Sequence, residues 1–176
     1  KIVSTNSITP FSFWILDKVL PFEINRVYYI YDANGQRGGH SHKETQQALS
    51  NYWIPQTAKF PLDYYWYTSW EIILQDSSCS VGGIGFAGLP DDEGATEIGY
   101  ALDEKFRGKG IATEAVQALS DWAFQDPGLH KLRAETPVGN VGSQRVLEKN
   151  NFQKTGQKTI ALEMTLQVFT WERLRY

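Results

Sequence analysis

The stretch Arg107-Gly108-Lys109-Gly110-Ile111-Ala112 sets two glycines and two cations directly ahead of a run whose apolar residues recur at helical spacing. Without a Cβ at 108 and 110, the backbone N–H groups of 108–112 can approach a ligand closely, and the partial positive charge of a helix start adds to them. That combination suits a phosphate group. No Gly-Lys-Ser/Thr follows four residues after a first glycine, so the stretch is not a P-loop, and it lacks the three glycines and the ribose-binding acid of a dinucleotide fingerprint. The plainer alternative is a turn that only opens a surface helix. A second candidate is the pair His40 and His42 in Arg37-Gly38-Gly39-His40-Ser41-His42-Lys43. Histidines at i and i+2 of an extended strand share a face, which suits a metal pair or an acid/base pair. A metal would need a third histidine and a carboxylate, and the remaining histidine, His130, lies far along the chain, so no metal is expected. Cys79 is the one cysteine, which excludes a disulfide framework and a zinc cluster; Ser78 and Ser80 beside it suggest a turn.

These residues need elements to hold them. The run 111–125 reads as a helix with Ile111, Ala115, Leu119 and Trp122, and Ala112, Val116 and Ala123, on its buried stripe. Asp126-Pro127-Gly128 supplies the stop, with glycine taking the left-handed conformation. Thr96-Glu97-Ile98-Gly99-Tyr100-Ala101-Leu102 alternates like a strand, within a strand expected over 95–102, and the order strand, glycine turn, helix presents an anion site at a strand's carboxyl end. Upstream, 70–74 and 80–86 read as a hairpin around the polar turn 75–79, and 88–94 reads as a loop. Downstream, 131–136 reads as a strand and Asn140 as the N-cap of a helix over 141–149, with Asn150 and Asn151 able to take a left-handed exit. The tail from 158 to 171 reads as a closing hairpin.

The run from Arg107 to Ala112 fits the Arg/Gln-x-x-Gly-x-Gly/Ala pyrophosphate loop of the GNAT acetyltransferases. Asn140-Val141-Gly142-Ser143-Gln144-Arg145-Val146-Leu147-Glu148-Lys149-Asn150-Asn151-Phe152 resembles the Asn-x-x-Ser-x-x-Val-Leu-Glu-Lys-x-Gly-Phe segment of the branch that includes the ribosomal-protein N-acetyltransferases. The similarity covers about 62–173. It implies an α/β (α+β) fold, a mixed, mostly antiparallel, splayed sheet flanked by helices, and acetyl-CoA-dependent transfer of an acetyl group to a primary amine of a small molecule, an amino-sugar or a protein N-terminus. Acetyl-CoA would be a co-substrate held by Ile98, Gly99, Tyr100, Ala101, Leu102, Arg107, Gly108, Lys109, Gly110, Ile111, Ala112, Asn140 and Ser143. Glu97 stands where this family often places its base, beside the alternative of an exposed strand carboxylate. The family's frequent tyrosine acid falls at Leu147, which cannot donate a proton; in this branch Ser143 is proposed instead, beside the alternative that it merely occupies the third position of a helix capped by Asn140.

A length of 176 residues with 41% hydrophobic content is enough for one domain with one core. The net charge of −3 argues against a nucleic-acid surface, and no apolar run approaches the ~18 residues of a membrane span. A soluble, cytoplasmic protein is the expectation. Six Trp, nine Tyr and nine Phe point to a thick aromatic core. The first fifty residues differ in character. Asn25 to Tyr31 alternates as a strand, 32–35 reads as a turn, and 44–51 could begin a helix. Residues 14–49 resemble the opening strands of the nucleotide-sugar 3,4-ketoisomerases, cupin enzymes acting on dTDP-sugars, in which the histidines of Arg-Gly-x-His-x-His-Lys carry the proton transfer; His40 and His42 would be their counterparts. The strands that complete such a barrel are absent, and a third of a barrel cannot bury its own core. The chain therefore reads as a fusion forming a single domain over 1–176, in which the segment 1–50 is either integrated into the acetyltransferase sheet or paired with a second copy in a homodimer. Two other function classes stay open: a ketoisomerase-related protein and a non-catalytic CoA-binding module.

Overall fold

The computed structural model describes residues 27–30, 51, 54–74, 77, 79–161 and 165–176. His40, His42, the turn at 32–35 and all but the last residue of the helix expected over 44–51 lie outside them. The elements run in the order β1 (Val27–Ile30), α1 (Ile54–Lys59), a 3₁₀ turn (Tyr64–Tyr67), β2 (Ser69–Leu74), β3 (Cys79–Phe86), β4 (Ala95–Leu102), α2 (Ile111–Ala123), β5 (Lys131–Pro137), α3 (Val141–Lys149), β6 (Gln153–Ala161) and β7 (Thr165–Leu174). The strands form a seven-stranded sheet in the order β1-β2-β3-β4-β5-β7-β6. Every pairing is antiparallel except β4 with β5, which α2 connects as a crossover. This is the mixed, mostly antiparallel α/β architecture expected. Val27–Ile30, inside the ketoisomerase-like stretch, forms an edge strand on β2, with Val27 opposite Leu74 and Ile30 opposite Glu71.

The core lies between the sheet and α2. Ile111, Ala115, Val116, Leu119 and Ala123 are buried, as the periodicity requires. Among the described residues most aromatics join the core, as the composition implies. Trp66 is fully buried, and half-buried Trp122 of α2 meets Tyr65 edge-on at 5.1 Å between centroids, with Trp66 at 5.9 Å and Phe86 at 6.3 Å. Such ring pairs add about 0.5–1.5 kcal/mol each beyond the area they bury. No helix among the described residues is long and apolar enough to cross a membrane.

Four local expectations are corrected. α2 stops at Ala123 rather than 125: Gln125 N–H turns back to the Trp122 carbonyl and Asp126 N–H to that of Ala123. Gly128 is not left-handed; its N–H donates to Asp126 Oδ1 at 2.8 Å, so a side-chain turn makes the stop. At the end of α3 only Asn151 is left-handed (φ 62°), while Asn150 (φ −99°) buries its amide, which donates to the carbonyls of Val146 at 2.8 Å and Thr113 at 3.2 Å. Cys79 begins β3 rather than ending a turn.

Candidate active site

The parallel joint sets the geometry. β4 pairs with β5 only through Ala95, Thr96 and Glu97, opposite Lys131, Leu132 and Arg133. Past Glu97, β4 stays bonded to β3 through Ile98–Leu102, while β5 continues beside β7. The edge of 98–102 that faces away from β3 is therefore without a strand partner among the described residues. An extended amide-bearing chain laid in this gap would meet backbone donors and acceptors. Ile98 is buried, so only its backbone is offered, whereas Gly99 and Ala101 are exposed and Tyr100 and Leu102 half-buried.

Beyond that edge, the turn at Glu104–Phe106 leads into the glycine loop. Exposed Arg107 folds back, its Nε donating to the Leu102 carbonyl at 3.2 Å. Gly108 and Gly110 are both left-handed, at φ 75° and 83°, and a Cβ at either would meet nothing within 4 Å. Glycine is thus required here by conformation, and the space beside it is open. Gly110 begins α2 with no side-chain cap, and no backbone N–H from Gly108 to Thr113 finds a backbone or side-chain acceptor among the described residues; the first helical bond is Glu114 N–H to the Gly110 carbonyl. Lys109 is exposed, Ile111 buried and Ala112 half-buried. The donors of 108–112 and the open edge of 98–102 are brought to one end of one strand.

The candidate catalytic residues divide between the two faces of the sheet. Tyr100 points toward α3, and its hydroxyl donates to the Ser143 carbonyl at 3.1 Å across the gap. Burial pushes the Tyr100 phenol up to about 12, against the opposing effect of that hydrogen bond, so it is protonated at neutral pH. Ser143 is half-buried at the third position of α3, and its N–H donates to Asn140 Oδ1 at 3.1 Å. The capping arrangement is therefore present. Leu147, at the position where the resemblance puts a tyrosine acid, is fully buried and has no proton to donate.

Glu97, three residues before Tyr100 on the same strand, falls on the other face. It reaches solvent, and it lines a cleft of about 270 Å³ together with Tyr67, Leu89, Asp91, Thr96 and Arg133. Crowding by the cleft walls raises the Glu97 carboxyl above its ordinary value, Glu135 raises it further, and Lys158 opposes both. Because the side chain is exposed, this crowding is lateral rather than an enclosure. The fold thus brings Tyr100 and Ser143 together and leaves Glu97 on the opposite side of the gap. Sequence reasoning missed the charged residues surrounding Glu97: Arg133 forks between Asp91 at 2.8 Å and Glu93 at 2.6 Å, and Lys158 pairs with Glu135. The alternation Lys131, Arg133, Glu135 was the available signal for a polar face. No group of three His, Cys, Asp or Glu among the described residues could hold a metal ion.

The comparisons with known proteins give this arrangement, a strand parting from its parallel neighbour beside an uncapped helix start, its family. The model of the acetyltransferase (GNAT) domain matches residues 23–153, and the chain belongs to that family. An uncharacterized N-acetyltransferase of Bacillus subtilis (strain 168), YjdG, is 41% identical over 86 residues, which is 49% of this chain and 51% of that protein. The ribosomal-protein-serine acetyltransferase of Escherichia coli (strain K12) is 35% identical over 72 residues, 41% of this chain and 40% of the relative. The chain spans about half the length of these curated relatives, or less. Among solved structures, the ribosomal-protein-S5-alanine acetyltransferase from Vibrio fischeri superposes with a TM-score of 0.65 over 87% of this chain and 95% of that one, at 20% identity, a likeness of fold.

Proposed function

We propose that the chain is an acetyl-CoA-dependent N-acetyltransferase that acts on a primary amine of a small molecule, an amino-sugar or a protein N-terminus. The observation that carries this reading is the opening of β4 from β5 at Glu97, with the open donors of 108–113 at the far end of the same strand. The residues fit the co-substrate: the loop would take the pyrophosphate, with Arg107 and Lys109 supplying charge, and the edge 98–102 would pair with the amide-bearing arm. Bound there, acetyl-CoA supplies an acyl group already activated as a thioester. Glu97 holds the position to take a proton from the attacking amine as the C–N bond forms, and its raised proton affinity suits a base working nearer neutrality. Ser143, beside Asn140 at the open end of α3, stands where a proton is needed as the C–S bond breaks. The E. coli relative is named for a ribosomal protein, which keeps protein N-termini among the acceptors. The same reading takes 1–50 as part of a single domain, supported by the pairing of Val27–Ile30 with β2.

A non-catalytic CoA-binding module is the second reading, favoured by the buried Leu147. Two measurements separate them. Acetyl-CoA at one hundred times its Kd should stabilise the chain by about 2.7 kcal/mol in a thermal-shift titration. A panel of amines should then release free thiol, and Glu97→Gln should lower kcat/KM by about 10²–10⁴ while removing the acidic limb of its pH profile. Stabilisation without thiol release would leave only the binding module, and no stabilisation would remove both.

A further inference from the structure

The open face of β5, β6 and β7 carries a charge lattice that the proposed reaction does not itself require. Glu97 is the register partner of Arg133 across the parallel joint, and Lys131 and Glu135 follow Arg133's alternation on that face. An arginine beside a carboxylate would ordinarily bond it through both nitrogens, and an opposite charge within ~4–6 Å lowers a carboxyl by about 1–3 units. Here the guanidinium goes elsewhere: Nη1 donates to Asp91 Oδ2 at 2.8 Å, Nη2 to Glu93 Oε2 at 2.6 Å, and Nε lies 3.7 Å from Glu172. Lys131 Nζ lies 3.3 Å from Glu172 and 4.0 Å from Glu93. Lys158 reaches across β7 to Glu135. The Glu97 carboxylate has no hydrogen bond and no ion pair among the described residues; its backbone carbonyl accepts the Ala87 N–H at 2.9 Å.

The fork is held by the backbone. Asp91 Oδ1 accepts the N–H groups of Ala95 at 2.9 Å and Glu93 at 3.0 Å, which fixes the loop and turns Oδ2 toward Arg133. We propose that Asp91, Glu93, Glu135 and Glu172 are positioning residues that withhold Arg133, Lys131 and Lys158 from Glu97, so that the Glu97 carboxylate stays unpaired and able to accept a proton. The role matters to catalysis through the reading of Glu97 as the base, but the sequestration is a property of the face itself. The remaining titratable side chain lining the cleft beside Glu97, Asp91 and Arg133 is that of Tyr67.

The test is a ¹³C carboxyl NMR titration of Glu97 in the full chain, run beside the pH profile of kcat/KM. Glu93→Gln keeps the Asp91 turn and frees one arm of Arg133, so the Glu97 titration should move to lower pH. Glu135→Gln removes a like charge and releases Lys158, and should move it the same way. Lys158→Met leaves Glu135 unpaired, and should move it to higher pH. Shifts of roughly half a unit to one unit are expected at low salt, shrinking as salt screens an open face. A Glu97 titration that stays in place, or moves the same way in Glu93→Gln and Lys158→Met, overturns the proposal. Shifts as expected in the NMR titration with an unmoved acidic limb uphold the sequestration and remove Glu97 from the role of base, as would an acidic limb that survives Glu97→Gln.

Discussion

The two longer helices begin in opposite ways. α3 starts at Asn140, whose side chain accepts the N–H of Ser143, so one of its leading donors is satisfied from within the chain. α2 starts at a left-handed glycine with no side chain to offer, and its leading donors have no acceptor among the described residues. An acceptor at such a position contributes about 1 kcal/mol to a helix. A chain that uses the device thirty residues later forgoes it at Gly110, and under the proposed function the pyrophosphate of the co-substrate would complete the cap of α2.

Four substitutions break or sharpen this contrast. The largest effect is expected from Gly110→Val, because a β-branched residue at φ 83° must displace the turn. The acetyl-CoA Kd should rise at least tenfold, about 1.4 kcal/mol, by calorimetry on a variant whose circular dichroism shows it folded. Wild-type affinity there would end the contrast. Asn140→Ala removes the cap of α3 and should lower the stability of the ligand-free protein to urea by about 1 kcal/mol. An unchanged midpoint would mean that Asn140 serves a ligand rather than its helix. Gly110→Asn gives α2 what α3 has, since asparagine tolerates the left-handed region and carries an acceptor. It should leave stability within a few tenths of a kcal/mol of wild type, or improve it, and still weaken acetyl-CoA binding several-fold. Ser143→Ala should do least. It leaves the capped N–H in place, so stability should change by less than about 0.5 kcal/mol. Its fall in kcat/KM should be smaller than that of Glu97→Gln, since water can stand in as the donor.

Features written in adjacent residues were legible. α3 spans 141–149 behind its Asn140 cap, and α2 starts at Ile111, because caps, glycines and apolar spacing are local signals. Whatever depended on residues distant in the chain was not. Asn150 was expected as a left-handed exit because nothing nearby reveals that its amide reaches the Thr113 carbonyl of another helix. The Asp91–Arg133 fork and the Tyr100–Ser143 contact join residues more than forty apart, which only the parallel joint brings together. The placement of Glu97 and Tyr100 on opposite faces was within reach, since a three-residue separation on a strand changes side.

The shortness of the joint between β4 and β5 also bears on how the chain reaches its fold. The hairpins β2–β3 and β6–β7 each close over a few residues, whereas aligning 95–97 with 131–133 requires all of α2 to lie between them. Closing that large loop costs entropy before three residue pairs can repay it, so the two halves of the sheet form as separate local units and their union comes late on the folding path. By the same reasoning the short joint is one of the places where the folded sheet opens readily. Under the proposed function the acyl group would lie at this joint, and a ligand bridging both halves would act as the missing rung that slows its opening.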